Sequence, residues 1–442
     1  MSTPIYLQPR LLLIGLLGFY SGLPLALTAS TLTAWLADAG VERAAIGLFA
    51  AIATPYAFKF LWAPLLDGVR LPVLHRLLGR RRAWLLVTQL LLACALAAML
   101  WANPAHAPEL TALVGVIIAT LSATQDTVID AYRVERLAPE EQGGGAAMAT
   151  LGYRIGMLVS GAGALYLADK HGWEATYLIM AALAASGIVV TLCMKKPVIA
   201  SDSEAIQQRP TAEAAGLPRR PFGLLAMTEF FREYVVAPFT DFMTRPLWLQ
   251  VLAFVILYKL GDAFMGIMFN PFLLDLGFAK TEIAKIVKLY GFAATLLGTF
   301  LGGWLVARWG MYRTLLLTGF VHMLTNLMLV VQAKLGANHE FLIASITLEN
   351  LSGGMSTAAF IAYLSALCKR NYTATQYALL SSLAAFGRTW LSTPSGWLSA
   401  TVGWQAFFAI ASLMALPGLF LLVWLERRQR ALAAVAESHA RA

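Results

Sequence analysis

The sequence predicts an all-α membrane protein of twelve transmembrane helices, arranged as two six-helix bundles. Three observations carry that fold class. Apolar stretches recur about twelve times, each near the roughly 20 residues that a helix needs to cross ~30 Å of hydrocarbon. Hydrophobic residues make up 59% of the chain and charged residues 13%, with a mean hydropathy of +0.68, far from a soluble domain. The second half of the chain also repeats features of the first in the same order.

The apolar runs place helices over residues 11–36, 44–66, 83–101, 110–136, 143–168 and 174–194, then over 247–275, 280–307, 313–335, 341–367, 375–400 and 403–425. Alternating segments of about ten residues are missing, which excludes an outer-membrane β-barrel. Arg10 precedes the first run as it would in a signal peptide, but that run exceeds a usual apolar core and more spans follow, so it reads as an uncleaved first span. The break at 195–245 is the longest. Its first part, Ser201 to Pro221, is a polar linker. Its second part, Leu224 to Arg245, interleaves Phe230, Phe231, Tyr234, Phe239 and Phe242 with Glu229, Arg232, Glu233 and Asp241. That pattern suits an amphipathic helix, either lying on the inner membrane surface or packing against the bundle. The organisation expected is an N-terminal bundle (1–194), a cytoplasmic linker (195–245), a C-terminal bundle (246–426) and a cytoplasmic tail (427–442).

Lys and Arg placement sets the orientation, because cytoplasmic loops collect positive charge. With both termini inside, most of the 33 Lys and Arg residues fall on the inner side, among them Arg80, Arg81, Arg82, Lys195, Lys196, Arg427 and Arg428; the outer loops hold Arg43, Lys170, Lys280 and Lys334. The net charge of +9 is therefore a topology signal, and no nucleic-acid partner is needed to explain it. Cys94, Cys193 and Cys368 lie in or beside spans, so neither a disulfide framework nor a metal site is expected.

The halves look duplicated. Trp35 to Gly40, closing the first span, matches Phe272 to Gly277, closing the seventh; Ala131-Tyr132 matches Ala362-Tyr363, Arg154 matches Arg388, and Gly172-Trp173 matches Gly403-Trp404. Six spans per half is an even number, so the two copies share one orientation about an axis along the membrane normal.

Asp67-Gly68 followed by Gly79-Arg80-Arg81-Arg82, and later Gly302-Gly303 through Arg308 to Arg313, resemble the cytoplasmic signature loop of the major facilitator superfamily, present twice. The first copy is stretched by the residues between Gly68 and Gly79, which departs from the compact form. Such a loop sets a carboxylate beside arginines and makes a latch that can form and break. Gly22-Leu23-Pro24, Lys59 through Asp67, Ala123 through Arg133, Gly152-Tyr153-Arg154 with Ser160-Gly161, and Tyr258 through Phe264 resemble the AmpG family of muropeptide permeases, across nearly the whole chain. The resemblance implies proton-driven import of anhydro-muropeptides, wall fragments of a sugar pair bearing a short peptide, across the bacterial inner membrane by a monomer that needs no cofactor.

Ionisable groups within a bilayer are costly enough that a polar pathway is their default explanation. Ten stand out: Lys59, Asp126, Asp130, Arg154, Lys259, Asp262, Lys285, Lys288, Glu349 and Arg388. At 1.5 Å per residue, Arg154, Lys259, Asp262 and Arg388 sit roughly 13 to 22 Å from the inner ends of their helices, and Lys59 about 12 Å from Asp67. The basic excess suits an anionic substrate. Lys59, Gln125, Arg154, Lys259, Asn270, Lys288 and Arg388 are the expected substrate contacts, with helix-to-helix glue as the alternative for Gln125 and Asn270. Asp126, Asp262 and Glu349 are the proton-coupling candidates, with a permanent ion pair to Arg154 as the alternative reading of Asp126. Asp67, Arg80, Arg81, Arg82, Asp130, Arg133 and Arg308 are assigned to the cytoplasmic gate. Lys285 is expected to pair with Glu282, and His322, on a scaffold span, is expected to be neutral and bonded to a backbone carbonyl. Gly291, Gly298 and Gly302 read as close-packing positions, and Trp62, Trp84 and Trp173 as interface anchors.

Two other functions compete. One keeps the fold and carries another large anion such as acetyl-CoA. The other is a multispan enzyme acting on lipid-linked wall precursors, for which the Asp126 and Asp130 pair is the only foothold. No phosphate-binding loop signature is present, and Gly143-Gly144-Gly145 reads as a flexible helix entry.

Overall fold

The computed structural model describes residues 5–41, 49–194, 231–279, 282, 286, 290–391 and 394–441. Twelve helical rods follow one another. Among the described residues they are α1 (Pro9–Asp38), α2 (49–68), α3 (Arg80–Trp101), α4 (Pro108–Arg136), α5 (139–171), α6 (173–193), α7 (Trp248–Asp275), α8 (Gly291–Trp309), α9 (Met311–Leu335), α10 (His339–Ala366), α11 (373–390 and 395–402) and α12 (404–441). Most ends fall within a few residues of the sequence expectation. The first part of the eighth span, and Lys285 and Lys288 with it, lies outside the described residues.

Eight stretches among the described residues are long and apolar enough to cross a membrane, nine if the sharply bent pair α10 and the first part of α11 counts as one. The number is smaller than twelve for physical reasons. α5 and α6 run on without a loop, divided by Gly172 at φ 81°, ψ 166°, and Gly403 at φ 74°, ψ 166° divides α11 from α12 in the same way. Those angles are open to glycine and strained for any other residue. α2 contains Pro55 and Pro64 and is broken into short 3-10 and α pieces, so no piece of it is long enough alone.

Glycine sets how closely the rods approach. A methyl at Gly22 would lie 2.1 Å from the Tyr153 carbonyl oxygen, and one at Gly152 would lie 1.8 Å from that of Gly15, so α1 and α5 touch backbone to backbone. α8 and α10 do the same, with Gly298 facing Leu351 at 1.9 Å and Gly302 facing Met355 at 2.5 Å. Small residues of this kind drive association where lipid supplies no hydrophobic force. Gly291, by contrast, faces the Asn350 side chain at 3.2 Å.

The duplication is visible as a repeated clasp. Trp173 Nε1 donates to Asp38 Oδ2 at 2.8 Å where α6 begins beside the end of α1, and Trp404 Nε1 donates to Asp275 Oδ2 at 3.1 Å where α12 begins beside the end of α7. Trp173 stacks on Trp35 and Trp404 packs against Phe272, which are themselves matched positions. Trp62 also ties α2 to α4: its Nε1 donates to Thr124 Oγ1 at 3.0 Å.

The rods alternate, so the beginning of α1, the end of α12 and the arginines of the signature loops share one end of the bundle, the basic end. There residues 231–243 form a short π-helical then α-helical segment. This part of the expected amphipathic helix packs against the protein: Phe242 is buried with α7 and α11, Asp241 binds Arg245, Lys369 and Gln376, and Tyr234 lies within electrostatic reach of Arg70 and Arg80. Burial alone would raise the Asp241 carboxyl, but the hydrogen bonds from Lys369, Arg245 and Gln376 outweigh it and hold that carboxyl below the usual carboxylate range. Residues 224–230 lie outside the described part.

Candidate functional site

Two polar clusters occupy the middle of the bundle, one in each half. In the first, Asp126 on α4 accepts a hydrogen bond from Ser21 Oγ on α1 at 2.5 Å. Lys59, Tyr56 and Tyr153 lie within electrostatic reach of it. Lys59 sits in the 3-10 turn at 59–61 where α2 is broken, so the cation occupies a point where the helix has already freed backbone groups. The expected ion pair between Asp126 and Arg154 is not formed; the neighbouring cation is Lys59. Arg154 is exposed although it lies within a span, and the cost of a charge at that depth argues for a polar space around it. Gln125 turns away from that space: its Nε2 donates to the Tyr20 carbonyl at 2.8 Å, so its role is to join α4 to α1.

The second cluster centres on Asp262 of α7. Lys259 Nζ binds Asp262 Oδ2 at 3.0 Å and reaches Thr357 Oγ1 on α10 at 3.4 Å. Lys259 stands at a helix break as Lys59 does, between the segments Trp248–Leu257 and Leu260–Asp275. His322 Nε2 on α9 contacts the other oxygen, Oδ1, at 2.8 Å, and its Nδ1 lies 2.9 Å from Ser352 Oγ on α10. The expectation that His322 bonds a backbone carbonyl is thus overturned: the ring bridges a carboxylate and a hydroxyl. Glu349 is near enough to act on both His322 and Asp262, and accepts from Asn350 Nδ2 at 2.8 Å. Lys259 and Asp262 are partly exposed while His322 is buried behind them, and Asn270, two turns beyond, is exposed. Lys288 is not described, and Arg388 lies on α11 with a side chain outside the described residues.

The gate residues sort into four groups. Asp67, at the end of α2, takes Arg81 Nη2 at 2.6 Å; Arg81 also binds Glu135 at the end of α4 at 2.6 Å, and Arg80 donates to the Asp67 carbonyl at 2.8 Å. Asp67 also reaches the other half. It accepts from Thr375 N at 2.8 Å, Thr375 Oγ1 at 2.7 Å and Ala374 N at 3.3 Å, so it caps the first turn of α11. Arg133 crosses to the C-terminal half as well, donating to Ser365 Oγ at 3.1 Å and lying over the Tyr377 ring, while Asp130 stays 3.5 Å from it and does not engage the arginine loop. Arg82 instead donates to the Thr191 and Leu192 carbonyls and closes the end of α6. Arg308 is exposed over Trp304 and forms no ion pair among the described residues.

Contacts between the halves cluster at the basic end: Asp67 with Thr375, Arg133 with Ser365, Tyr6 with the Phe300 carbonyl, and Gly143 against Gly303. That end is closed. Sequence reading missed Ser21, Glu135, His322, Ser365 and Thr375. For His322 a signal existed, since Lys259 is outnumbered by the carboxylates Asp262 and Glu349 and a second cation would balance them.

The Major Facilitator Superfamily profile matches residues 14–390 and 251–441. The anhydromuropeptide permease of Escherichia coli K12 is 40% identical over 421 residues, covering 95% of this chain and 80% of its own. The relative AmpG 4 of Rickettsia conorii is 35% identical over 428 residues, covering 96% of this chain and 99% of its own. The fucose:proton symporter of E. coli has a similar structure, with a TM-score of 0.66 at 16% identity over 95% of this chain and 99% of that one, a likeness that carries the fold alone. Identity of 35–40% over at least 95% of the chain, with the superfamily profile matching both halves, decides the assignment: the chain belongs to the AmpG family of muropeptide permeases, within the major facilitator superfamily.

Proposed function

We propose that this chain imports anhydro-muropeptides into the bacterial cytoplasm, driven by protons, with its basic end and both termini in the cytoplasm. The observation that carries the reading is the 40% identity to an anhydromuropeptide permease across 95% of the chain. The polar clusters supply a chemical rationale. Lys59, Arg154 and Lys259 offer cations to substrate carboxylates, Asn270 offers an amide to its sugar or peptide groups, and Lys288 and Arg388 join them on the same reasoning. Asp126, held by Ser21 and facing Lys59, is the proton carrier in the N-terminal half, and Asp262 and Glu349 are its counterparts in the other. The Arg excess at the basic end supports the orientation.

Uptake of radiolabelled anhydro-muropeptide into proteoliposomes tests the reading. An imposed inward proton gradient should drive accumulation above the external concentration, and collapsing it with an uncoupler should abolish accumulation. Uptake that ignores the proton gradient, or accumulation of acetyl-CoA in place of the muropeptide, would overturn it.

A further inference from the structure

His322 reaches the pathway from behind. It lies on a scaffold helix, α9, and is buried, yet it contacts the carboxylate of Asp262, which Lys259 holds from the exposed side. Among the described residues, the charged and titratable groups around the ring are Lys259, Asp262 and Tyr258 from α7 and Glu349 from α10, with none from Gly291–Trp309 of α8 or from α12 near it. With a neutral ring and both carboxylates ionised, one lysine faces two carboxylates, a net charge of −1. A protonated ring brings the cluster to neutrality, the state that a low-dielectric interior favours.

The hydrogen bonds accept either state without movement of heavy atoms. Asp262 can only accept, so Nε2 carries hydrogen and donates to it. Nδ1 faces Ser352 Oγ, which also lies 2.9 Å from the Glu349 carbonyl oxygen. When Nδ1 is bare, the Ser352 hydroxyl donates to it. When Nδ1 binds a proton, the ring donates to Ser352, whose hydroxyl turns to the Glu349 carbonyl. Thr325 Oγ1, 2.7 Å from Ser352 Oγ and 2.9 Å from the His322 carbonyl, stays satisfied in both cases.

We propose that His322 is the positioning residue that links proton binding to substrate binding in the C-terminal half: on taking a proton at Nδ1 it becomes the cationic partner of Asp262 and releases Lys259 for an anionic group of the substrate. The proposal rests on the muropeptide transport reading and goes beyond it, because it makes affinity, as well as driving force, depend on protons.

The test uses the full chain in lipid nanodiscs and has two readouts. In protein labelled with 15N-histidine, the His322 ring resonances, assigned by their loss in H322Q, should pass from neutral to protonated as pH falls from about 8 to about 5, the range in which histidine titrates. A ring that keeps one protonation state throughout overturns the proposal, and this readout needs no substrate, so it stands apart from the identity of the cargo. At equilibrium without a gradient, the Kd for radiolabelled anhydro-muropeptide should tighten on acidification by up to about tenfold per pH unit for one linked proton. H322Q retains an N–H donor for Asp262 but cannot change charge, so it should bind with little pH dependence. Equal slopes in H322Q and the parent chain overturn the proposal. A parent chain that binds no muropeptide at any pH would sink the transport reading instead.

Discussion

Asp67 and Thr375, 308 residues apart, are joined by two hydrogen bonds at the basic end, one from the Thr375 backbone N–H and one from its hydroxyl. The aspartate closing α2 thereby caps the N-terminus of α11 in the opposite half. Its second tie, to Arg81 and through it to Glu135, stays within its own half. One carboxylate therefore holds both the loop and the partner bundle, and breaking it should release both.

Asp67→Asn keeps the size and one acceptor oxygen but removes the charge that Arg81 and the helix terminus favour. Hydrogen bonds to charged groups contribute about 1.5–3 kcal/mol each, so the basic end should open in a population roughly tenfold or more larger. Thr375→Val removes only the neutral hydroxyl donor and should shift the balance less, on the order of 1 kcal/mol. Labelling of engineered cavity cysteines from each side of the membrane measures this, and equal labelling ratios in both variants and the parent would mean that the contact does not gate.

Arg154→Ala should lower uptake by at least about tenfold while membrane abundance changes little, because the exposed guanidinium has no ion-pair partner among the described residues whose loss would destabilise the fold. Arg388→Ala, at the matching position of the second half, should behave alike. Quantitative blotting beside initial uptake rates separates the two effects, and normal transport in either variant would remove that arginine from the substrate site.

In Asp126→Asn the hydrogen bond from Ser21 can persist, but the side chain can no longer change charge. Accumulation against a gradient should vanish while exchange of labelled for unlabelled substrate survives. Continued uphill accumulation would make Asp126 structural and move the proton site to the cluster around Asp262.

The carboxyl of Asp241 is held below its ordinary range by Lys369, Arg245 and Gln376, so its contribution to docking residues 231–243 is fully present above about pH 4 and is lost as pH falls through the lowered value. Asp241→Asn should loosen the segment at neutral pH as acid does in the parent chain. Hydrogen exchange over residues 231–243 reports it, and faster exchange already at pH 5 in the parent would contradict the sign.

The periodicity of apolar residues was enough to place the spans, because hydrocarbon thickness dictates their length. The duplication was legible for a related reason: Asp38 with Trp173 and Asp275 with Trp404 form the same bond at the same place, so the residues had to repeat. The site was legible only in part. Lys59, Asp126, Lys259 and Asp262 announce themselves by cost alone, since a charge in a span needs a reason. Their partners do not. Ser21 and Thr375 are cheap residues that become informative only when another helix is laid against them, and His322 was misjudged because a helix assigned to the scaffold was not expected to reach a carboxylate on α7. Gln125 took the second of its two readings, helix-to-helix glue: beside Asp126, its side chain points one position round the helix, into the α1 backbone.

The closed end carries two kinds of contact with opposite mechanical characters. Asp67 on Thr375 is directional and lets go only when its bonds break. Gly143 against Gly303 is a close approach of main chains, where a methyl added at Gly143 would lie 3.0 Å from the Gly303 carbonyl oxygen, with the Val306 side chain beside it and the Tyr6 hydroxyl against Gly303. A surface with few large side chains meshed across it can roll or slide more readily than one of interlocking knobs. The glycine contact thus works as a bearing beside a lock, and the pairs α1 with α5 and α8 with α10, fused by their own glycines, are the two arms that turn on it.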